Sequence, residues 1–220
     1  MAFKKGDIVK VKHGVLDPDF GDDIGGWQGY VSDVVVDDDE VVVCIDLDSI
    51  SLSECPAEYI TKCEEDGLDW EQMYLSANDV EIASQRDTTA DLNDTREAMH
   101  LKHKWDYLGK SSKRIHEVLK GANITNENEV VDAWEQYLRE KLSFPFEAKI
   151  SQYQYKGPLQ QGDKIRIHGI VGSDDLYGVL VTLRFGRKVY HFPLCDIEAK
   201  DITTNNYKIL DDYSIWFANR

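Results

Sequence analysis

The residues with the clearest chemical potential are carboxylates in short acidic runs beside turn-forming residues. Calcium is bound by about six to eight oxygens from carboxylates, backbone carbonyls and water. Acidic loops supply both the carboxylate and the carbonyl oxygens. The same pattern is typical of solvated turns, so each run alone is weak evidence for an ion site. Four stretches qualify: Asp17, Asp19, Asp22 and Asp23; Asp37–Glu40; Asp174 and Asp175; and Asp211 and Asp212.

These stretches lack the spacing of an EF-hand. When Asp17 is placed at the first position of such a loop, Gln28 stands where the twelfth position requires Glu. Any calcium site in this chain is therefore expected to be of a non-EF-hand type.

Glu147 is a further candidate because the residues before it form a rigid turn. Pro145 has no N–H to donate and disfavours helical geometry at Phe144, so a helical pattern should end there. Glu147 is then either a charge that pairs within the turn and sets the fold, or a ligand that the turn holds in place.

Catalytic motifs are missing from the sequence, which has no P-loop, GxGxxG, GxSxG or HExxH. His100 and His103 could share a helix face and bind a transition metal, but no third ligand stands nearby. Cys195 lies near His191 in an apolar Phe-Pro-Leu-Cys context, which is more typical of a core thiol than of a nucleophile. We therefore expect no enzyme.

The distribution of charge and hydropathy limits the partners. Of 41 acidic and 25 basic residues, 22 and 6 fall within residues 1–90, so this part holds the whole net charge of −16. Such a surface repels phosphates, which argues against nucleic acid but is compatible with cations, basic proteins or solubility alone. No apolar run approaches the roughly 18 residues of a membrane span, and a signal-peptide core is missing. We expect a cytoplasmic protein with no membrane partner.

The N-terminal part predicts a small β domain. Gly6–Lys12 alternates apolar and polar residues, as does a hairpin with strands at Tyr30–Val36 and Glu40–Leu47. Pro56–Glu65 has helical spacing and is followed by Gly67, which suits a helix end. This order suggests an SH3-like barrel with a helical insertion, closed near Ala77–Ile82.

The rest of the chain predicts helices followed by a second β domain. Helices are expected from Asp94 to Gly109, from Ile115 to Gly121, and after a Thr125 cap. Strands are then expected at Glu147–Tyr155, Gly162–Ile170, Leu176–Phe185 and Val189–Phe192, with a terminal helix over Thr203–Asn219. The predicted fold is thus α+β, with two small SH3-like β-barrels joined by a helical segment and a C-terminal helix. The predicted domains are residues 1–86, 94–142 and 143–220.

One stretch carries a family resemblance. The pattern Trp134-x-x-Tyr137-Leu138-x-x-x-Leu142-Ser143-Phe144-Pro145-Phe146-Glu147-Ala148 resembles the opening signature of the cyanobacterial calcium-binding protein family of the CcbP type. The likeness continues through Gly162–Ile165, the acidic loop Asp174–Gly178, Pro193-Leu194 and the aromatic helix at Tyr213–Phe217. It spans roughly residues 128–218.

The resemblance implies a β domain that binds calcium through acidic residues, as a buffer or sensor. It implies metal ligands at Glu147 and at Asp174 and Asp175. Asp211 and Asp212, the fourth acidic stretch, are further candidate metal ligands. The loop at Asp174 has only two carboxylates after Gly-Ser, fewer than the family pattern.

A second hypothesis is a metal-independent SH3-like module that binds a protein partner through its acidic or aromatic surface. Its groove would be formed by Trp27, Tyr30, Trp70 and Tyr74. Alternatively, at least half of these side chains are expected to pack in the hydrophobic core.

Overall fold

The chain forms two compact units, Met1–Tyr107 and Leu108–Arg220. The computed structural model describes residues 3–37, 40–153 and 155–220. Asp38 and Asp39 of the second acidic stretch, and Gln154 of a predicted strand, therefore lie outside the described residues. The three-part division into residues 1–86, 94–142 and 143–220 stays a prediction.

The first unit has five antiparallel strands in the order β4-β3-β2-β1-β5. Val9 and Val11 of β1 are buried, as the alternation in Gly6–Lys12 predicted. The predicted hairpin is formed by the second and third strands. The strands are β1 (Ile8–Val11), β2 (Gln28–Asp37), β3 (Glu40–Leu47), β4 (Gln72–Ser76) and β5 (Val80–Ile82).

Three helices complete the first unit: α1 (Ser49–Glu54), α2 (Ala57–Asp66) and α3 (Thr89–His103). Helix α2 begins after Pro56 and ends at Gly67, whose φ of 71° is the left-handed conformation that glycine adopts most easily. Thr88 caps α3 in a capping box with Asp91.

The second unit has a sheet of the same order, β10-β6-β7-β8-β9, and is antiparallel throughout. Its helices are α4 (Ser112–Val118), α5 (Glu127–Lys141) and α6 (Asn205–Ala218). Its strands are β6 (Phe146–Ile150), β7 (Lys164–Asp174), β8 (Gly178–Phe185), β9 (Lys188–Pro193) and β10 (Ile197–Ala199). A short 3₁₀ helix, Leu194–Asp196, precedes the last strand.

The α+β class and the C-terminal helix are therefore confirmed. Each five-stranded sheet keeps two edge strands within the described residues, so neither closes into a barrel. None of the described helices is long and apolar enough to cross a membrane.

Two helix predictions were wrong in detail. The helix expected to run to Gly109 ends at His103, and a 3₁₀ segment, Asp106–Ser111, follows with Gly109 at φ 60°. The cap of α5 is Asn126 rather than Thr125. The Thr125 hydroxyl instead lies 2.7 Å from Oδ1 of Asn123, whereas the Asn126 side chain accepts the N–H of Asn128.

The core of the second unit is built on aromatic side chains of α5 and α6. Trp134 is fully buried, and its ring centroid lies 5.3 Å from those of both Tyr213 and Trp216. The turn at Pro145 is fixed to α6 by Asn206, whose side-chain amide donates to the carbonyl of Ser143 and accepts its N–H. The turn thus connects α5, β6 and α6.

An ion pair whose carboxylate is buried connects α4 to α6. The Arg114 guanidinium donates to both carboxylate oxygens of Asp212 at 2.5 and 2.6 Å. The Asp212 side chain is only 7% exposed, whereas that of Arg114 is 47% exposed. Both ligand positions of Asp212 are therefore occupied by a cation from the chain itself.

Gly178 allows α6 to approach the β7–β8 hairpin closely. Its φ is 64°, and a Cβ there would collide with the Phe217 ring and the Tyr213 hydroxyl. The Tyr213 hydroxyl accepts the N–H of Val179 at 2.7 Å, and burial raises the pKa of this tyrosine. A side chain at position 178 would separate the helix from the hairpin.

Gly178→Ala should destabilise the second unit by about 3 kcal/mol, because left-handed backbone strain adds to the collision. Gly186→Ala is the matched control, because Gly186 also has φ 60° but no atom within 4 Å of a Cβ. It should cost only about 1 kcal/mol. Calorimetric unfolding of both variants is the measurement, and equal losses would contradict the close-approach argument.

Arg114→Ala should destabilise the protein by about 2 kcal/mol, because it leaves the Asp212 carboxylate buried without its cation. The control is Arg166→Ala, which breaks an ion pair with Glu147 that is exposed at both side chains and should cost about 0.5 kcal/mol. Urea unfolding gives both values. A loss no larger than that of the control would show that Asp212 is adequately solvated.

Candidate functional site

Asp174 and Asp175 lie at the turn that joins β7 to β8. Oδ1 of Asp174 accepts the backbone N–H groups of Leu176 and Tyr177 at 2.9 and 3.0 Å. Within the described residues, Oδ2 of Asp174 and the carboxylate of Asp175 have no hydrogen bond or ion pair. One side-chain oxygen thus fixes the turn, while three remain available to a ligand.

The carbonyls of this turn already contact a cation. The Arg220 guanidinium donates to the carbonyls of Asp175 and Leu176 at 3.1 and 3.3 Å. It also lies over the Phe217 ring, 4.1 Å from its centroid. The turn therefore presents its oxygens to positive charge on one side.

Glu135 brings a third carboxylate towards the turn, and no sequence pattern indicated this. Burial raises its pKa, but hydrogen bonding to Ser173 and to Arg139 outweighs burial and lowers the pKa overall. Because α5 and β7 are distant in sequence, no local spacing could have placed Glu135 beside the residue that precedes Asp174.

Glu147 lies elsewhere on the sheet. It faces Arg166 across the β6–β7 ladder, with Oε1 3.7 Å from Nε, and is 59% exposed. Arg166 and Asp174 are eight residues apart on β7, which spans roughly 26 Å at 3.3 Å per residue. The structure therefore does not bring Glu147 together with Asp174 and Asp175.

Asp211 and Asp212 are adjacent on α6 but have different surroundings. Arg114 holds both oxygens of Asp212, whereas Asp211 lines a cleft of about 320 Å³ with Glu198 and Ser214. Burial and the Asp212 charge raise the pKa of Asp211, and the Glu198 charge adds to this effect. Lys149 partly balances the cleft, because its Nζ lies 3.0 Å from Glu198.

The five predicted ligands thus occupy three places: the β7–β8 turn, the β6–β7 ladder and helix α6. Within residues 3–37, 40–153 and 155–220, no three His, Cys, Asp or Glu side chains are grouped so that they could hold a metal ion. The donors at the turn fit calcium in chemical type, because they are carboxylate and carbonyl oxygens. Water would have to supply the remaining ligands.

The acidic loop of the first unit uses its carboxylates to hold itself together. Asp17 is buried and accepts the N–H groups of Asp19 and Phe20 and the hydroxyl of Tyr59. Asp22 pairs with Lys62 at 2.6 Å. These charges stabilise the loop fold.

The two histidines considered for a transition metal have separate carboxylate partners. His100 contacts Glu71, and Nδ1 of His103 lies 2.6 Å from Asp106. Burial raises the pKa of the Cys195 thiol to about 12, so a thiolate nucleophile is disfavoured at neutral pH.

The aromatic side chains proposed as a peptide groove are mostly engaged in the fold. Trp70 is buried, and Trp27 packs edge-on against Tyr59 at 5.1 Å between ring centroids. The Tyr30 hydroxyl donates to Asp87. Tyr74 remains the exposed member of the four.

Comparisons with known proteins bear on the second unit. Residues 114–217 match the model of the CcbP family, which is described as calcium binding. No curated protein matches the chain. Calcium is therefore the ion named by the matching family, and that description names no enzymatic activity.

Two solved structures resemble about half of the chain. The crystal structure of Anabaena CcbP is 23% identical, with a TM-score of 0.40, and covers 49% of this chain and 91% of its own. A calcium binding protein in the calcium-binding form has the same identity and TM-score, and covers 50% and 92%.

The family match at residues 114–217 includes the Trp134–Ala148 motif, the β7–β8 turn and most of α6. It confirms the resemblance to the CcbP-type calcium-binding family for this part of the chain.

Proposed function

We propose that the second unit binds calcium through acidic surface turns, without an EF-hand, in a calcium buffer or sensor of the cytosol. The observation that carries the proposal is the family match over residues 114–217. It encloses every carboxylate predicted as a ligand. The proposed activity is ion binding, and no catalytic step is part of it.

The preferred site is the turn Asp174–Gly178. Oδ2 of Asp174 and the carboxylate of Asp175 supply negative charge at one edge of the sheet. The hydrogen bonds from Leu176 and Tyr177 to Oδ1 orient the first carboxylate before any ion arrives. With two carboxylates and water in the coordination shell, the affinity should resemble that of weak sites, with a Kd of about 10⁻⁴ to 10⁻³ M.

The cleft beside Asp211 is a second place for the ion. Asp211 and Glu198 line it together; Asp211 is exposed, and partial desolvation with the charges of Asp212 and Glu198 raises its pKa, which adds a small cost to its ionised form without a cation. A divalent cation between the two carboxylates would relieve that cost. Asp212 would act only by holding α6 through Arg114, and Glu147 would pair with Arg166.

We also infer that both sheets are SH3-like. Each is a four-strand meander in which the fifth strand returns to pair with the first. In the second unit a 3₁₀ helix precedes that returning strand. This common topology supports an SH3-like fold in both units but assigns no function to the first one.

Asp174→Asn together with Asp175→Asn should remove most of the calcium-induced stabilisation. Asn at position 174 keeps an oxygen for the turn hydrogen bonds, so the fold should persist. For a Kd of about 1 mM, 10 mM calcium should stabilise the native protein by about 1.4 kcal/mol. Calorimetry measures both the binding heat and the unfolding temperature.

The matched control replaces two exposed carboxylates of α5, Asp132→Asn with Glu140→Gln, and changes the net charge equally. It should leave calcium binding unchanged. If the native protein gives neither heat nor stabilisation at 10 mM calcium, the proposed function is wrong. If the turn variant binds as well as the control, the ion binds elsewhere.

Asp211→Asn should raise the unfolding temperature in calcium-free buffer at pH 7. Folding raises the pKa of Asp211, so the ionised carboxylate destabilises the folded protein. The native protein therefore loses stability as the pH rises through this pKa. The advantage over the native protein should vanish below about pH 4, where the carboxyl is protonated in both states. If the cleft binds calcium, the variant should also lose part of the calcium-induced shift. Unfolding scans with and without calcium measure both effects, and Asp132→Asn is the control.

A further inference from the structure

Arg220 is a positive charge that contacts the β7–β8 turn, and it binds backbone carbonyls there. Its Nη2 donates to the carbonyl of Asp175 at 3.1 Å and to that of Leu176 at 3.3 Å. The planar guanidinium also covers the Phe217 ring at 4.1 Å. Phe217 packs against Tyr213, which contacts Val179 on the hairpin. The guanidinium is therefore held at the turn by stacking as well as by hydrogen bonds.

The guanidinium occupies two backbone carbonyls directly beside the carboxylates of the proposed calcium site. Calcium sites in proteins combine carboxylates with backbone carbonyls. Here the two carboxylates precede two carbonyls that are already hydrogen-bonded to a cation. A divalent ion at the carboxylates would lie on the same turn as this positive charge, which would repel it.

We propose, on the basis of the calcium site proposed above, that Arg220 is an internal competitor that sets the calcium affinity of the Asp174–Gly178 turn. In the absence of calcium, its guanidinium neutralises part of the turn's charge and holds the carbonyls of Asp175 and Leu176. When calcium binds, the contact between the guanidinium and the turn weakens. Binding of calcium and binding of the Arg220 guanidinium at the turn are reciprocally coupled. The guanidinium contact therefore lowers the calcium affinity by the same factor by which calcium weakens that contact.

The test compares calcium titrations of the full chain in four forms: native, Arg220→Gln, Arg220→Lys and Arg187→Gln. Arg187 lies at the exposed turn between β8 and β9, so Arg187→Gln removes the same charge elsewhere. Arg220→Gln should bind calcium roughly 3- to 10-fold more tightly at low salt, as expected for one charge near a divalent ion. The gain should shrink at 0.5 M salt, because the site is exposed and screened.

The two remaining variants separate charge from position. Arg220→Lys keeps the charge but loses the planar fork and stacking, so its affinity should lie between native and Arg220→Gln. Arg187→Gln should differ from the native protein by less than about 2-fold, because a distant exposed charge is screened. Nitrogen-15 NMR of the Arg220 Nε–H group should also show its signal shifting during the calcium titration.

The failures of the two proposals are distinguishable. If native protein binds calcium, the Asp174→Asn, Asp175→Asn variant does not, and Arg220→Gln binds as the native form does, then only the competitor role is overturned. If neither the native protein nor Arg220→Gln binds calcium at 10 mM, both proposals are overturned. Binding by Arg220→Gln alone would be the strongest support, since the guanidinium would then block the turn fully.

Discussion

The second unit depends on the close approach of α6 to the β7–β8 hairpin at Gly178. The missing side chain lets the Tyr213 hydroxyl reach the N–H of Val179, and the same helix presents Trp216 to Trp134. The approach also brings Phe217 and Arg220 to the carbonyls of the turn. The Arg220 guanidinium thus lies beside the candidate calcium site because α6 packs closely against the hairpin backbone.

A carboxylate is available to an ion only when no donor of the chain already holds its oxygens, so the number of carboxylates in a run is a poor guide. Asp17 and Asp212 belong to acidic runs, yet both are buried and their oxygens hold the chain's own donors. Asp175 and Asp211 have no such partner within the described residues. The excess negative charge lies in residues 1–90, whereas the family match lies in residues 114–217. Acidic composition alone therefore points to a different part of the chain from the family match.

The local structure of this protein could be predicted from its sequence where a short pattern sets it. Alternation located β1 and the β2–β3 hairpin, and Gly67 marked the end of α2 because it needs a left-handed conformation. The cap of α5 was misplaced by one residue, since Thr125 and Asn126 are both good caps and only the neighbouring Asn123 decides between them. Such a choice depends on side-chain contacts that no periodicity encodes.

The candidate site could be predicted less well from the sequence, because its geometry depends on contacts between residues that are distant in the chain. Arg114 and Asp212 are 98 positions apart, and Glu135 reaches Ser173 from another element. The motif that identified the family, Trp134–Ala148, contributes aromatic packing and a turn held by Asn206. Its carboxylate, Glu147, faces Arg166 about 26 Å along the strand from the acidic turn. A motif that carries a family resemblance can therefore consist of residues that build the fold. The proposed calcium affinity would then be set at the β7–β8 turn, by two carboxylates, two carbonyls and a competing guanidinium.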